Sequence, residues 1–385
     1  MSSHSDEKEH PYPRPLPVLR ALIDRLDREM LQLLSRRYGL VGEIAAYKRS
    51  HGVPIRDFQR ERELIEDRRH RAPSLGLSPE LIESLFRLVL WGSRDRQAAL
   101  KAEVPLDIEP KTIAIIGGRG GMGRCLSELF ADLGHAVMVA DLETRLTPQE
   151  AAAVADVVVV SVPIDATVEV IRRVGPLVRA GALLMDVTSV KTAPMAAMLD
   201  ATAADVIGTH PLFAPSVHSL QGQRVVLCPG RGEAWLDWLR QTFHARGLIV
   251  VESTAEEHDR AMSVVQVLVH FSTEVMGRTL TRLGVSIEQT LAFMSPVYLM
   301  ELIMTARHFA QSPDLYASIQ MSNPATPEVT AAFENAAAEL RGLAAAKNHA
   351  AFSQVFEEVQ AYFGPFSDQA MEQSSFLIDR LVERG

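Results

Sequence analysis

Gly118-Arg119-Gly120-Gly121-Met122-Gly123 and one later carboxylate, Asp141, are spaced to hold a dinucleotide. Before them Thr112 to Ile116 is short, apolar and partly β-branched, as a buried parallel strand is. A helical run, Cys125 to Leu133, follows. Gly134 closes it, and Ala136 to Ala140 reads as a second strand ending at Asp141. In such a turn Gly118 permits the tight bend, Gly120 lets a diphosphate approach the backbone, and Gly123 lets the helix lie close to the strand. The free N–H groups at the start of the helix that follows would face the diphosphate, and Gly121 and Met122 are placed with the cofactor. Asp141, about 20 residues on, would accept hydrogen bonds from a ribose diol and repel a 2′-phosphate. The expected cofactor is therefore NAD rather than NADP. The plainer alternative is a glycine-rich turn with no ligand.

Further candidates lie where later strands should end. Asp156 to Val160 reads as a third strand, ending in Ser161-Val162-Pro163. Ala182 to Val187 is a fourth, ending in Thr188-Ser189-Val190-Lys191. Val206 to Gly208 is a short fifth, ending in Thr209-His210-Pro211, and Arg224 to Leu227 and Leu248 to Val251 follow. Helical segments between several of these imply a doubly wound α/β sheet, whose ligand sits beyond the carboxyl ends of the strands. Ser161 and Pro163 are placed with the cofactor. His210 is the candidate acid or base, because imidazole titrates near neutral pH; the alternative is a loop histidine with a purely local hydrogen bond. His218, His244, His258, His270, His308 and His349 are read as ordinary histidines.

Helical blocks flank this sheet. Leu19, Leu22, Ile23, Leu26, Met30, Leu33, Leu34, Val41, Ile44 and Ala45 recur at three- and four-residue steps between about Pro17 and Ser50. So long a stripe needs a partner helix, expected from a second chain. Gly52-Val53-Pro54 should break it. A second helix is expected from Asp57, as its cap, to Arg71, and a third from Ser78-Pro79-Glu80 to about Leu100. Arg20, Arg37, Lys48, Arg60 and Arg94 accompany Asp57, Glu61, Ser93 and Gln97 on these helices. Singly they are amphipathic decoration; together they are cations able to hold a small dicarboxylate. From Ala255 the pattern is helical again: one long helix from Glu256 to Arg282, a capping box at Ser286 and Gln289, and cap-plus-proline starts at Ser312-Pro313 and Thr326-Pro327. Arg307 lies in an otherwise apolar helix, either snorkelling to the surface or clamping a carboxylate.

At 385 residues the chain exceeds one core and divides into a tail (1–15), a helical block (16–100), a linker (101–110), an α/β block (111–254) and a helical dimerisation block (255–385). A net charge of −9 argues against nucleic acid as a partner. Two cysteines cannot build a disulfide framework or a metal cluster and suit a reducing compartment. The polar start MSSHSDEKEH shows no signal peptide, and no apolar run reaches the ~18 residues of a membrane span. A cytoplasmic protein without metal or membrane is expected.

The segment LRALIDRLDREMLQLLSRRYGLVGEIAAYKRSHGVPIRDFQRERE resembles the all-helical, domain-swapped chorismate mutases over residues 16 to 100. That resemblance implies rearrangement of chorismate to prephenate without a covalent intermediate. Arg37, Arg60 and Arg20, the last from the other subunit, would bind the two carboxylates with Ser93 assisting. Lys48 and Gln97 would donate to the breaking ether oxygen, and Glu61 and the Asp57 backbone would hold the ring hydroxyl. Residues 111 to about 370 resemble prephenate dehydrogenases through IIGGRGGMGR, VVVVSVP, DVTSVK, GTHPLF and SPVYLMELIMTARHFAQ. Mutase followed by dehydrogenase is the order of the bifunctional, homodimeric enzymes of tyrosine biosynthesis. The resemblance implies that His210 accepts the 4-hydroxyl proton of prephenate, Ser189 bonds near that hydroxyl, and Arg307 and Lys191 contact substrate. Leu299 stands where enteric members have a second arginine. The same fold acting on arogenate or 4-amino-4-deoxyprephenate, or a non-catalytic NAD-binding regulator, are the alternatives.

Overall fold

The computed structural model describes residues 14–51, 57–99, 108–217 and 219–382. Most of the expected tail and linker, the break at Gly52-Val53-Pro54, and His218 lie outside them. Leu16–Ser50 (α1) is one helix of 35 residues, about 52 Å long at 1.5 Å per residue. Phe58–Arg71 (α2) starts at Asp57, whose carboxylate accepts the Arg60 N–H at 2.9 Å. Pro79–Ala99 (α3) packs on α2 and α1. Val41 and Ala45 are buried, but Ile23, Leu26, Met30 and Leu33 are each at least half exposed. The stripe of α1 is thus uncovered over much of its length within one chain.

The α/β block runs Thr112–Ile116 (β1), Gly121–Asp132 (α4), Ala136–Ala140 (β2), Pro148–Val154 (α5), Val157–Val160 (β3), Ile164–Val174 (α6), Leu183–Asp186 (β4), Thr192–Ala201 (α7), Asp205–Pro211 (β5), Arg224–Arg231 (β6), Glu233–Ala245 (α8) and Ile249–Glu252 (β7). The strands lie in the order β2-β1-β3-β4-β5-β6-β7, parallel except where β5 meets β6. Alternate strand residues feed two cores. Ala114, Ile116, Val158, Val160 and Leu184 pack on Ala151, Ile171 and Met195 of α5, α6 and α7. Ile113, Ile115, Val157, Val159 and Met185 pack on Leu129 and Phe130 of α4 and Leu239 and Phe243 of α8. Burial on both faces explains why these strands read as unbroken apolar runs.

Several boundaries differ from expectation. α4 begins at Gly121 rather than Cys125, because the glycines themselves form its first turn. β5 continues through His210 to Pro211, because β6 pairs with it antiparallel and places Val226 opposite His210. His210 is therefore a strand residue, not a loop residue.

Ala255–Met262 (α9) and Val269–Leu283 (α10) make up the expected long helix, but a π-helical turn, Ser263–Leu268, interrupts it. Ile287–Leu291 (α11), Pro296–Phe309 (α12), Pro313–Ser322 (α13), Thr326–Ala345 (α14), His349–Phe363 (α15) and Phe366–Val382 (α16) complete the chain. Ser286 caps α11 through the Gln289 N–H, and Ser312 caps α13. Thr326 is not the cap of α14. It lies in the first turn, with Ala325 at the cap and the Thr326 hydroxyl bonded to the Gln320 carbonyl. Phe356, Tyr362, Phe366 and Met371 remain exposed. Among the described residues no helix is long and apolar enough to cross a membrane, and no His, Cys, Asp or Glu cluster could hold a metal ion.

Candidate active sites

The first site forms where strand order reverses, between β1 and β3. The tight turn falls on Gly117, with φ +81°, rather than on Gly118; a Cβ there would lie 2.2 Å from the Ser161 carbonyl oxygen. Gly118 instead accommodates Val139, 2.8 Å from where its Cβ would be. A Cβ on Gly123 would meet the Gly117 oxygen at 2.5 Å and Gly118 Cα at 2.6 Å, so this glycine does allow helix and turn to touch. No side chain caps α4 at Gly120, which leaves the first N–H groups of the helix, at Gly121, Met122 and Gly123, for an anion. Asp141 follows β2 directly and is half-buried. Its carboxylate accepts the Arg119 N–H at 2.9 Å and the Leu142 N–H at 2.8 Å, which fixes it beside the glycine turn. Ser161 and Pro163 follow β3, with the Ser161 carbonyl against the Gly117 turn. An uncapped helix end, a glycine cradle and a fixed acid fit a dinucleotide.

The second site gathers at the ends of β4 and β5. His210 is 3% exposed. Its Nδ1 lies 2.9 Å from His258 Nε2, and His258 Nδ1 lies 2.8 Å from Asp259 Oδ1. Gln266 Nε2, from the π-helical turn, stands 3.4 Å from His210 Nε2. Burial pushes His210 well below the usual histidine value, with the proximity of His258 and the Lys191 ammonium adding to the effect. Burial would raise Asp259, but hydrogen bonds from His258 and from the Thr192 and Lys191 N–H groups outweigh it and hold the carboxyl at about 2.

Ser189 is half-buried in the turn after β4. Lys191 is placed otherwise than a substrate contact requires. Its side chain is 0% exposed, and its ammonium is bonded to Asp186, itself 0% exposed, and to Thr188 Oγ1 at 3.3 Å. The ammonium holds the turn under the site instead of facing outward. Arg307 is exposed on α12, while its neighbour His308 turns inward to Glu274 at 3.1 Å.

In the N-terminal block Arg37 of α1 donates to the Ser93 hydroxyl of α3, and Ser93 donates to the Val89 carbonyl at 2.6 Å. The Gln97 amide, one turn on, donates to the Ser93 carbonyl at 3.2 Å. Glu61 pairs with Arg94 at 2.7 Å, both mostly buried. Arg37, Ser93 and Gln97 thus meet at one corner, with Glu61 on an adjacent pair. Lys48 is half-buried on α1, and Arg60 is exposed, 3.8 Å from Glu63. Arg20 lies 17 residues before Arg37 on one unbroken helix, about 25 Å away. The two cannot serve one small-molecule pocket within one chain.

His258, Asp259 and Gln266 were not foreseen as site residues. The first two sit in the acidic run Glu256-Glu257-His258-Asp259, which reads as a solvated helix start. The readable signal was Thr254-x-x-Glu257, a closed capping box that fixes where α9 begins.

Known proteins resemble this chain along most of its length. Residues 19–98 match the family model for chorismate mutase type II. Residues 122–252 match that for the nucleotide-binding domain of prephenate dehydrogenase, and residues 254–358 that for its dimerization domain. The chain is 34% identical to a T-protein of Haemophilus influenzae over 367 residues, 95% of this chain and 97% of that one. It is 34% identical to a T-protein of Enterobacter agglomerans over 365 residues, 94% and 97% of the two chains. The crystal structure of prephenate dehydrogenase from A. aeolicus, in complex with hydroxyphenyl propionate and NAD+, covers 66% of this chain and 98% of its own, with a TM-score of 0.55 and 17% identity. That likeness is one of fold.

Proposed function

The chain belongs to the T-protein family, and from that premise we infer how its residues divide the work. It is a bifunctional enzyme of tyrosine biosynthesis that rearranges chorismate to prephenate and then, with NAD, converts prephenate to 4-hydroxyphenylpyruvate.

The mutase step is pericyclic. It needs the reactive conformer held in place and donors aimed at the ether oxygen as charge develops. We assign Arg37 with Ser93, Arg60, and Arg20 of a second copy to the carboxylates. Lys48 and Gln97 are assigned to the ether oxygen, and Glu61 and the Asp57 backbone to the ring hydroxyl. The separation of Arg20 from Arg37 and the bare stripe of α1 support a homodimer, as does the match to a dimerization domain.

In the dehydrogenase, Gly118, Gly120, Gly121, Met122 and Gly123 hold the diphosphate, Asp141 holds the ribose, and Ser161 and Pro163 line the cofactor site after β3. NAD supplies the hydride acceptor. His210 takes the 4-hydroxyl proton on Nε2 as the carbonyl forms; Ser189 hydrogen-bonds beside it, and Arg307 binds a substrate carboxylate. The ring C–CO₂⁻ bond then breaks, its electron pair enters the ring as the carbonyl π pair moves onto oxygen, and the proton on His210 Nε2 returns to that oxygen to give the phenol. The observation that carries this half is His210: a buried imidazole, kept neutral, at a strand end beyond the nucleotide turn. Two free cysteines agree with a reducing cytoplasm. The test supplies chorismate and NAD to the full chain and follows absorbance at the NADH wavelength. NADH should appear after a lag while prephenate accumulates. Its absence with added prephenate would refute the dehydrogenase reading.

A further inference from the structure

The geometry points to His258 and Asp259 as a positioning pair that keeps the proton of His210 on Nδ1 and leaves Nε2 bare to act as the base. This rests on the reading of His210 as the proton acceptor, and it adds what makes that nitrogen available.

The reasoning is one of donors and acceptors. Asp259 accepts the Lys191 N–H at 2.7 Å and the Thr192 N–H at 2.9 Å, so it is anchored as an ionised carboxylate across the start of α7. An ionised carboxylate only accepts. His258 Nδ1, 2.8 Å from Asp259 Oδ1, must therefore carry hydrogen. In the arrangement proposed His258 carries that one hydrogen alone, so its Nε2 presents a lone pair. His210 Nδ1, 2.9 Å from that lone pair, must then be the donor. The ring planes meet at 68°, an edge-on nitrogen-to-nitrogen contact rather than a stack. With its only hydrogen on Nδ1, His210 has a bare Nε2, and the Gln266 amide stands on that side at 3.4 Å.

During the reaction the substrate O–H bond breaks and an Nε2–H bond forms on His210. The resulting imidazolium keeps its Nδ1–H donated to His258, and Asp259 stays ionised. The charged groups facing His210 oppose one another: Lys191, paired with Asp186 after β4, disfavours the imidazolium, and Asp259 from α9 favours it. His258 and Asp259 touch no reacting atom; they act through His210.

The test uses the full-length chain labelled with ¹⁵N-histidine, with His210→Asn to assign the resonance. In the wild type His210 should show the Nδ1–H tautomer; an Nε2–H tautomer would overturn the proposal whatever the variants do. His258→Phe, which removes the acceptor, should lower dehydrogenase kcat by about 100-fold or more, within the up to ~10⁴-fold seen when a base histidine is left in the wrong tautomer. The prephenate KM and the mutase rate of the same chain should stay within about threefold, a split that general unfolding would not give. His258→Gln, whose amide oxygen can accept the same proton, should recover part of kcat. A His258→Phe chain that keeps wild-type kcat refutes the pair while leaving His210 as base. If His210→Asn itself turns over normally, the reading beneath the proposal fails as well.

Discussion

Lys191→Met separates a buried structural cation from a substrate ligand. Both Lys191 and Asp186 are 0% exposed, and the substitution leaves the Asp186 carboxylate buried with Thr188 as its remaining side-chain partner. Removing one partner of a buried pair typically costs about 3–5 kcal/mol, mostly as the penalty of the orphaned charge. Urea unfolding, followed by fluorescence of Trp235 and Trp238 on α8 in a Trp91→Phe background, reports on this block. At a slope of about 2 kcal/mol per molar urea, the midpoint should fall by about 2 M. Lys191→Met with Asp186→Asn should regain much of the loss, since the amide oxygen can still accept the Thr188 N–H while no charge is stranded. A single variant of normal stability with a raised prephenate KM would falsify this reasoning and return Lys191 to the substrate.

Three further outcomes are expected. Because His210 is held well below its ordinary value, its base form persists into acid, so the acidic limb of dehydrogenase kcat/KM should lie below pH 6.5; His210→Asn should cost about 10²-fold or more in kcat. Gly123→Ala drives a methyl to 2.5 Å from the Gly117 oxygen, so NAD should bind at least about tenfold more weakly by calorimetry while the mutase rate holds. Asp259 is depressed from 3.8 to about 2, so its stabilising contribution is complete above pH 4 and lost as pH falls through 2. That contribution is roughly 2–3 kcal/mol, and Asp259→Asn should flatten this part of the acid-denaturation profile.

The nucleotide turn was legible because each part of it is local: strand, glycines, helix and Asp141 fall within one βαβ unit. Which of two adjacent glycines takes positive φ was not, since Gly117 is selected by the Ser161 carbonyl, 44 residues away. The polar corner of the N-terminal block was legible as a set of residue types, but its pairing was not. Arg37 reaches Ser93 and Glu61 reaches Arg94 only once α1, α2 and α3 are packed together. Nothing near His258 in the chain distinguishes it; its partner lies 48 residues back on β5. The π-helical turn is equally silent, because an inserted residue shifts the apolar period without erasing it. Yet that turn supplies Gln266.

The base and the groups that orient it come from different layers. His210 belongs to β5, whereas His258 and Asp259 arrive on the first helix beyond the sheet. A fragment ending at residue 254 would still own every glycine of the nucleotide cradle. It would lack the two groups placed beside the His210 imidazole to fix its hydrogen. Cofactor cradle and base orientation are thus encoded in separate stretches of the chain.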